Sequence, residues 1–107
     1  MSWRVEFLDD RVIAEIEALP ADMQARFLRI AELIESVGLP AVRAPHIRHL
    51  DGKLWEMRMK GRDRIARAIY VAATGQRVIV LHGFVKKTQK TPRRALEIAR
   101  TRAEDVR

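Results

Sequence analysis

At 107 residues the chain has room for one domain with a modest core, and none for a second catalytic domain. Hydrophobic residues make up 48% and charged residues 33%, a globular balance that excludes a disordered chain. The absence of cysteine excludes disulfides, thiolate metal sites and cysteine nucleophiles.

Charge is unevenly spread. Residues 1–42 carry four Lys/Arg and eight Asp/Glu, a net of −4, while residues 43–107 carry 17 and six, a net of +11. Clustered cations gain affinity for phosphates by releasing counterions, so this split favours a polyanionic partner over a merely solvated basic face. The longest wholly apolar run, Ala68 to Ala73, falls far short of the ~20 residues of a membrane span. Arg4, Glu6, Asp9, Asp10 and Arg11 interrupt the early apolar stretches, so no signal peptide is expected. The expected location is the cytoplasm, with no membrane partner.

Trp3, Val5 and Phe7 alternate with Arg4 and Glu6, the period of a half-buried strand. Asp9 and Asp10 then cap a helix to about Leu19, with Val12, Ile13, Ile16 and Leu19 on its apolar face. Pro20 stops it and suits the first turn of a second helix, capped near Asp22. Phe27, Ile30, Leu33, Ile34 and Val37 form the core stripe of that helix, and Gly38 and Pro40 end it. Burial of Leu33 predicts a loss of roughly 2–5 kcal/mol for Leu33→Ala.

Residues 41–53 read as a loop with a short strand at His46 to Leu50. Leu54 to Lys60, Ile65 to Ala73 and Arg77 to Phe84 follow as strands, joined by short Gly-containing connections that favour antiparallel hairpins. Thr91-Pro92 reads as N-cap and first residue of a last helix with Leu96, Ile98 and Ala99 as its apolar face. The fold class is α+β: a single domain over residues 1–107, with two N-terminal helices packed on a small antiparallel sheet and a C-terminal helix.

Metal chemistry finds little support. Asp51, Glu56 and Asp63 belong to no paired motif, and His46 and His49 beside Pro45 read as a structural or nucleic-acid-contacting pair. No metal or other cofactor is expected. Ser2 and Ser36 lack the context of a nucleophile. His82, between Leu81 and Gly83, is the best-placed titratable group between the sheet and the basic segment after it.

What remains is cationic. Arg58 and Lys60 share one strand face, and Arg67 can sit beside them across the ladder. Arg67 lies in the apolar run Ile65 to Tyr70, so it must snorkel, pair or meet a ligand. Lys86, Lys87 and Lys90 follow the last strand. Such a cluster can stabilise the charge that builds on phosphate oxygens when a ribose 2′-hydroxyl attacks phosphorus. Crowded lysines repel one another's protons, which can make one of them a general acid or base. The same cations can equally just hold a nucleic-acid backbone.

The segments WRVEFLDDRVIAEIEALP (Trp3 to Pro20), LWEMR (Leu54 to Arg58), RAIY (Arg67 to Tyr70) and LHGFVKKTQKTP (Leu81 to Pro92) together resemble the phage-related, HigB-like branch of the RelE/ParE toxin superfamily. The resemblance implies a bacterial toxin of a type II toxin–antitoxin pair, inhibited by a helix-turn-helix, HigA-like antitoxin. It also implies ribosome-dependent endoribonuclease activity on messenger RNA. Arg58 then falls on the strand that supplies a catalytic lysine, with Lys60 close by; Arg67 matches the arginine of an R-x-x-Y segment; Lys86 and Lys87 match the basic residues after the last long strand. Arg62, Arg64, Lys86, Lys90 and Arg93 become the candidate RNA-binding cations. Residues 93–107 hold no Tyr or His, where this family often places a proton-transfer group, so that role falls to a lysine, to His82, or to nothing beyond the RNA as the ribosome positions it. The same departure keeps a ParE-like gyrase poison as the alternative.

Overall fold

Residues 2–42, 46–62, 64–86 and 90–107 are described by a computed structural model. In chain order it runs β1 (Arg4–Phe7), α1 (Asp10–Glu17), α2 (Ala21–Val37), a 3₁₀ turn (Leu39–Ala41), β2 (Ile47–Asp51), β3 (Leu54–Lys60), β4 (Ile65–Ala73), β5 (Arg77–Lys86) and α3 (Arg93–Ala103). The five strands form one sheet in the order β1-β5-β4-β3-β2. β2 to β5 make an antiparallel meander, whereas β1 runs parallel to β5, from Arg4 opposite Arg77 to Phe7 opposite Val80. The sheet is therefore mixed, not wholly antiparallel. Hairpin signals report only strands adjacent in sequence, and a parallel pair needs a long crossover that leaves no local mark.

Local chemistry explains the helix ends. Asp9 caps α1 by accepting the Arg11 N–H at 3.0 Å. Pro20 itself takes the N-cap position of α2 without a side-chain bond, so Asp22 is no cap but an acidic residue of the first turn, where it favours the helix dipole. Gly38, at φ +89°, ends α2 with its N–H on the Ile34 carbonyl at 2.8 Å.

Two apolar clusters occupy opposite faces of the sheet. One joins Val12 and Ile16 of α1 and Met23, Phe27, Ile30 and Ile34 of α2 to Met57, Met59, Ala66, Ala68, Tyr70, Val78 and Val80. α1 lies so close to β5 that a Cβ at Gly83 would meet the Ile16 Cδ1 at 2.6 Å. The other joins Ala95 and Ala99 of α3 to Leu54, Ile69, Val71, Ile79 and Leu81, with Leu96 at its margin. Ile98, expected on that face, is not part of it.

Helical phase corrects the expected core. The buried stripe of α2 runs Met23, Phe27, Ile30, Ile34, and Leu33 stands on its flank at 40% exposure. Val37 and Ile13, at 53% and 37%, also lie outside the core. Phe27→Ala should then cost roughly 3–5 kcal/mol, whereas Leu33→Ala should change stability by less than about 0.5 kcal/mol in urea unfolding. Equal losses for the two would overturn this packing.

Candidate functional site

Strand register sorts the cations. On the α3 side of the sheet, neighbouring residues across β3, β4 and β5 form three rows: Lys60–Ile65–Lys86, Arg58–Arg67–Phe84 and Glu56–Ile69–His82. Arg58 and Arg67 are thus directly opposite, an arrangement that repels unless something neutralises it. Glu56 does so from the next row. Its Oε2 is 3.5 Å from Arg67 Nη1 and 3.8 Å from Arg58 Nε. Glu56 and Arg67 are both 0% exposed.

A hydroxyl links Arg67 to Glu56. Thr91 accepts a hydrogen bond from Arg67 Nη1 at 2.8 Å and donates one to Glu56 Oε1 at 2.7 Å. Thr91 is therefore not the helix cap that Thr-Pro implies, and Pro92 stands at the N-cap of α3 with no side-chain bond. Burial pulls the Arg67 guanidinium below the usual arginine value; Glu56 opposes this, while Arg58 and Arg48 add to it. It still carries its charge, as arginine does in proteins. Of the three fates open to Arg67, the structure shows pairing.

Around this centre Lys60 is exposed, and Arg58 and Lys86 are half-buried. Arg62 and Arg64 lie exposed in the β3–β4 connection, where the Gly61 N–H bonds the Arg64 carbonyl at 2.9 Å. Lys90 and Arg93 are exposed where the chain approaches and begins α3. Lys87 lies outside the described residues. The rows bring together Arg58, Lys60, Arg67 and Lys86, four cations to one carboxylate.

His82 belongs to a different network. Its Nδ1 is 2.9 Å from Glu15 Oε1, and its ring stacks on Phe84 with centroids 5.1 Å apart. Glu15 also accepts the Gly83 N–H at 3.1 Å and meets Arg102 at 3.0 Å through both carboxylate oxygens. Arg102 in turn donates to the Leu81 carbonyl at 2.9 Å. One carboxylate thereby clips α1, β5 and α3 together. Elsewhere His49 Nε2 sits 2.8 Å from the Gly52 carbonyl and its ring packs edge-on to Trp55. No metal-binding cluster occurs among the described residues, and none of the described helices is long and apolar enough to cross a membrane.

Sequence reasoning missed Glu56, Thr91, Glu15 and Arg102. Glu56 was accessible to it, since the alternation that pairs Arg58 with Lys60 puts Glu56 on the same face. Thr91 and the Glu15 clip join positions 24 to 87 residues apart and carry no local signal.

Two measurements check these networks. Glu56→Ala leaves buried guanidinium charge uncompensated and should cost roughly 3–5 kcal/mol in urea unfolding, while the apolar pair Glu56→Leu with Arg67→Met recovers most of it. Additive losses would refute the coupling. Burial resists ionisation of Glu15, yet the bonds from Arg102, Gly83 and His82 outweigh it and hold its carboxyl below the usual 4.5. That stabilisation is present above about pH 4.5 and is lost as pH falls through the lower folded value. Glu15→Gln should flatten the acid limb of a Tm-against-pH curve, and an unaltered limb would contradict the clip.

No curated protein matches the chain. Four chains among solved structures do. One, from the archaeal RelE–RelB complex of Pyrococcus horikoshii OT3, is 23% identical, covers 85% of this chain and 100% of its own, and has a TM-score of 0.58. That likeness is one of fold. The sequence profile of the phage-derived Gp49-like proteins (DUF891) matches residues 14–104. This span contains every position of the three rows, and the chain belongs to the Gp49-like phage-derived family.

Proposed function

We propose that this protein is the toxin of a type II toxin–antitoxin pair, of the HigB-like branch, and that it cleaves messenger RNA in the ribosome without a metal. The observation that carries this reading is the register that sets Arg58 against Arg67 and flanks Ile65 with Lys60 and Lys86. The RelE-like fold and the Gp49-like family support it. Its partners are then a helix-turn-helix antitoxin, the ribosome and messenger RNA, and its place of action is the cytoplasm.

Each group has a role in this reading. The ribose 2′-hydroxyl attacks the adjacent phosphorus, and negative charge grows on the non-bridging oxygens. Lys60, Lys86 and Arg58 contact that charge, and Lys87 is assigned to the same reaction. Arg67 is buried beneath and acts as a positioning residue, lending fixed positive potential and holding Glu56 and Thr91 in place. The proton moves through a lysine or through His82, whose Nδ1 is held by Glu15 so that Nε2 is the nitrogen left for transfer. Arg62, Arg64, Lys90 and Arg93 hold the RNA backbone on either side.

The lack of Tyr or His in residues 93–107 favours a second reading, a gyrase poison that acts by binding alone. Primer extension in a reconstituted translation reaction separates the two. Ribosome-dependent cuts within the A-site codon are expected, and intact message with normal translation would sink the nuclease. Lys60→Ala and Lys86→Ala should each lower the cleavage rate by roughly 10²-fold with thermal stability preserved, since neither lysine is buried. Wild-type rates in both variants would move the site elsewhere.

A further inference from the structure

Leu33 is displaced from the core by helical phase, and what surrounds it is not ordinary surface. Between the flank of α2 and the end of β3 lies a groove of ≈ 380 Å³. Ile30, Leu33 and Ile65 supply its apolar lining, and Arg26, Arg29 and Lys60 line it with positive charge. None of the described residues that line it is acidic. Arg26, Arg29 and Lys60 are exposed and form no ion pair with any described residue.

We infer that this groove docks an acidic protein segment with aliphatic side chains along one face. Charge complementarity commits these cations to an anionic occupant. The apolar lining decides which kind. A half-exposed leucine flanked by two arginines, with half-buried Ile65 beside it, offers aliphatic area to bury, the mark of a helix-in-groove or similar peptide contact. Single-stranded nucleic acid instead uses aromatic platforms, and among the described residues lining the groove the one ring is that of His46. Arg26 to Leu33 spans two helical turns, about 10 Å, so a short segment fills the site.

The groove also reaches the cation rows, because Lys60 and Arg58 line both. An occupant covers Lys60, so docking and RNA contact exclude each other while Arg67, Glu56 and Thr91 stay untouched. This overlap rests on the nuclease reading. The docking itself does not.

The test uses the full chain and a synthetic peptide of about 15 residues, with leucine at every third or fourth position and glutamate between, read by fluorescence anisotropy. Binding to the wild-type protein is expected, weakened at least about tenfold by Leu33→Asp and by Arg26→Glu with Arg29→Glu. A peptide with lysine in place of glutamate should not bind. Leu33, Arg26 and Arg29 are solvent-accessible, so both variants should keep the wild-type Tm. No binding of the acidic peptide, or equal binding by both variants, overturns the docking. Loss of single-stranded RNA binding on Leu33→Asp overturns it too, making the groove a nucleic-acid site. In the ribosome assay the acidic peptide should inhibit the wild-type protein and spare Leu33→Asp. Peptide binding by a protein that cuts no RNA sinks the nuclease and keeps the docking; cutting without peptide binding does the reverse.

Discussion

The carboxylate of Glu56 is the constraint on which the basic end of this sheet depends. Two arginines face each other across a ladder, one of them wholly buried, and neither could be placed there alone. A buried ion pair gives up hydration that its own attraction only partly returns, so it seldom adds much net stability. Its effect here is selective. Arg67 is held through Nη1 by Glu56 and Thr91, and that arrangement fixes Thr91 and with it the point at which α3 starts. Local charge, strand register and the position of a helix on the sheet are set by one acid.

The uneven charge of the chain takes on a structural meaning. Several acids of the first part fasten the second: Glu15 holds His82, the Gly83 N–H and Arg102, while Glu6 lies 3.5 Å from Arg77. Glu35 instead closes an open edge by accepting the Val5 N–H at 2.9 Å. These contacts consume cations at the α1 and β1 side of the sheet. The cations gathered at the ends of β3 and β5 outnumber Glu56, and positive potential concentrates there rather than over the whole surface.

How much of this could be read from the sequence depends on distance along the chain. Two-residue alternation marks β3 and a continuous apolar run marks β4, each to its end residues, because both patterns are local properties. The same alternation puts Glu56 and Arg58 beside Lys60, but a lone acid among cations carries no sequence motif that marks it as their counter-charge. Leu33 was misplaced by a small error of phase: positions three and four apart share a face only approximately, and Met23 defines the true stripe. Thr91 followed its local preference only until a stronger tertiary partner took its hydroxyl. The parallel placement of β1 had no local signature at all.

That placement bears on the order in which the molecule can assemble. Arg4 pairs with Arg77, 73 positions later, and within the sheet β5 is the sole neighbour of β1. The hairpins of β2 to β5 close over short connections and can form early, but β1 has nothing to join until β5 exists. The last clip, Glu15 to Arg102, spans 87 positions. During synthesis the first strand must therefore wait, unpaired, until most of the chain has emerged. The sheet closes late and from its edge.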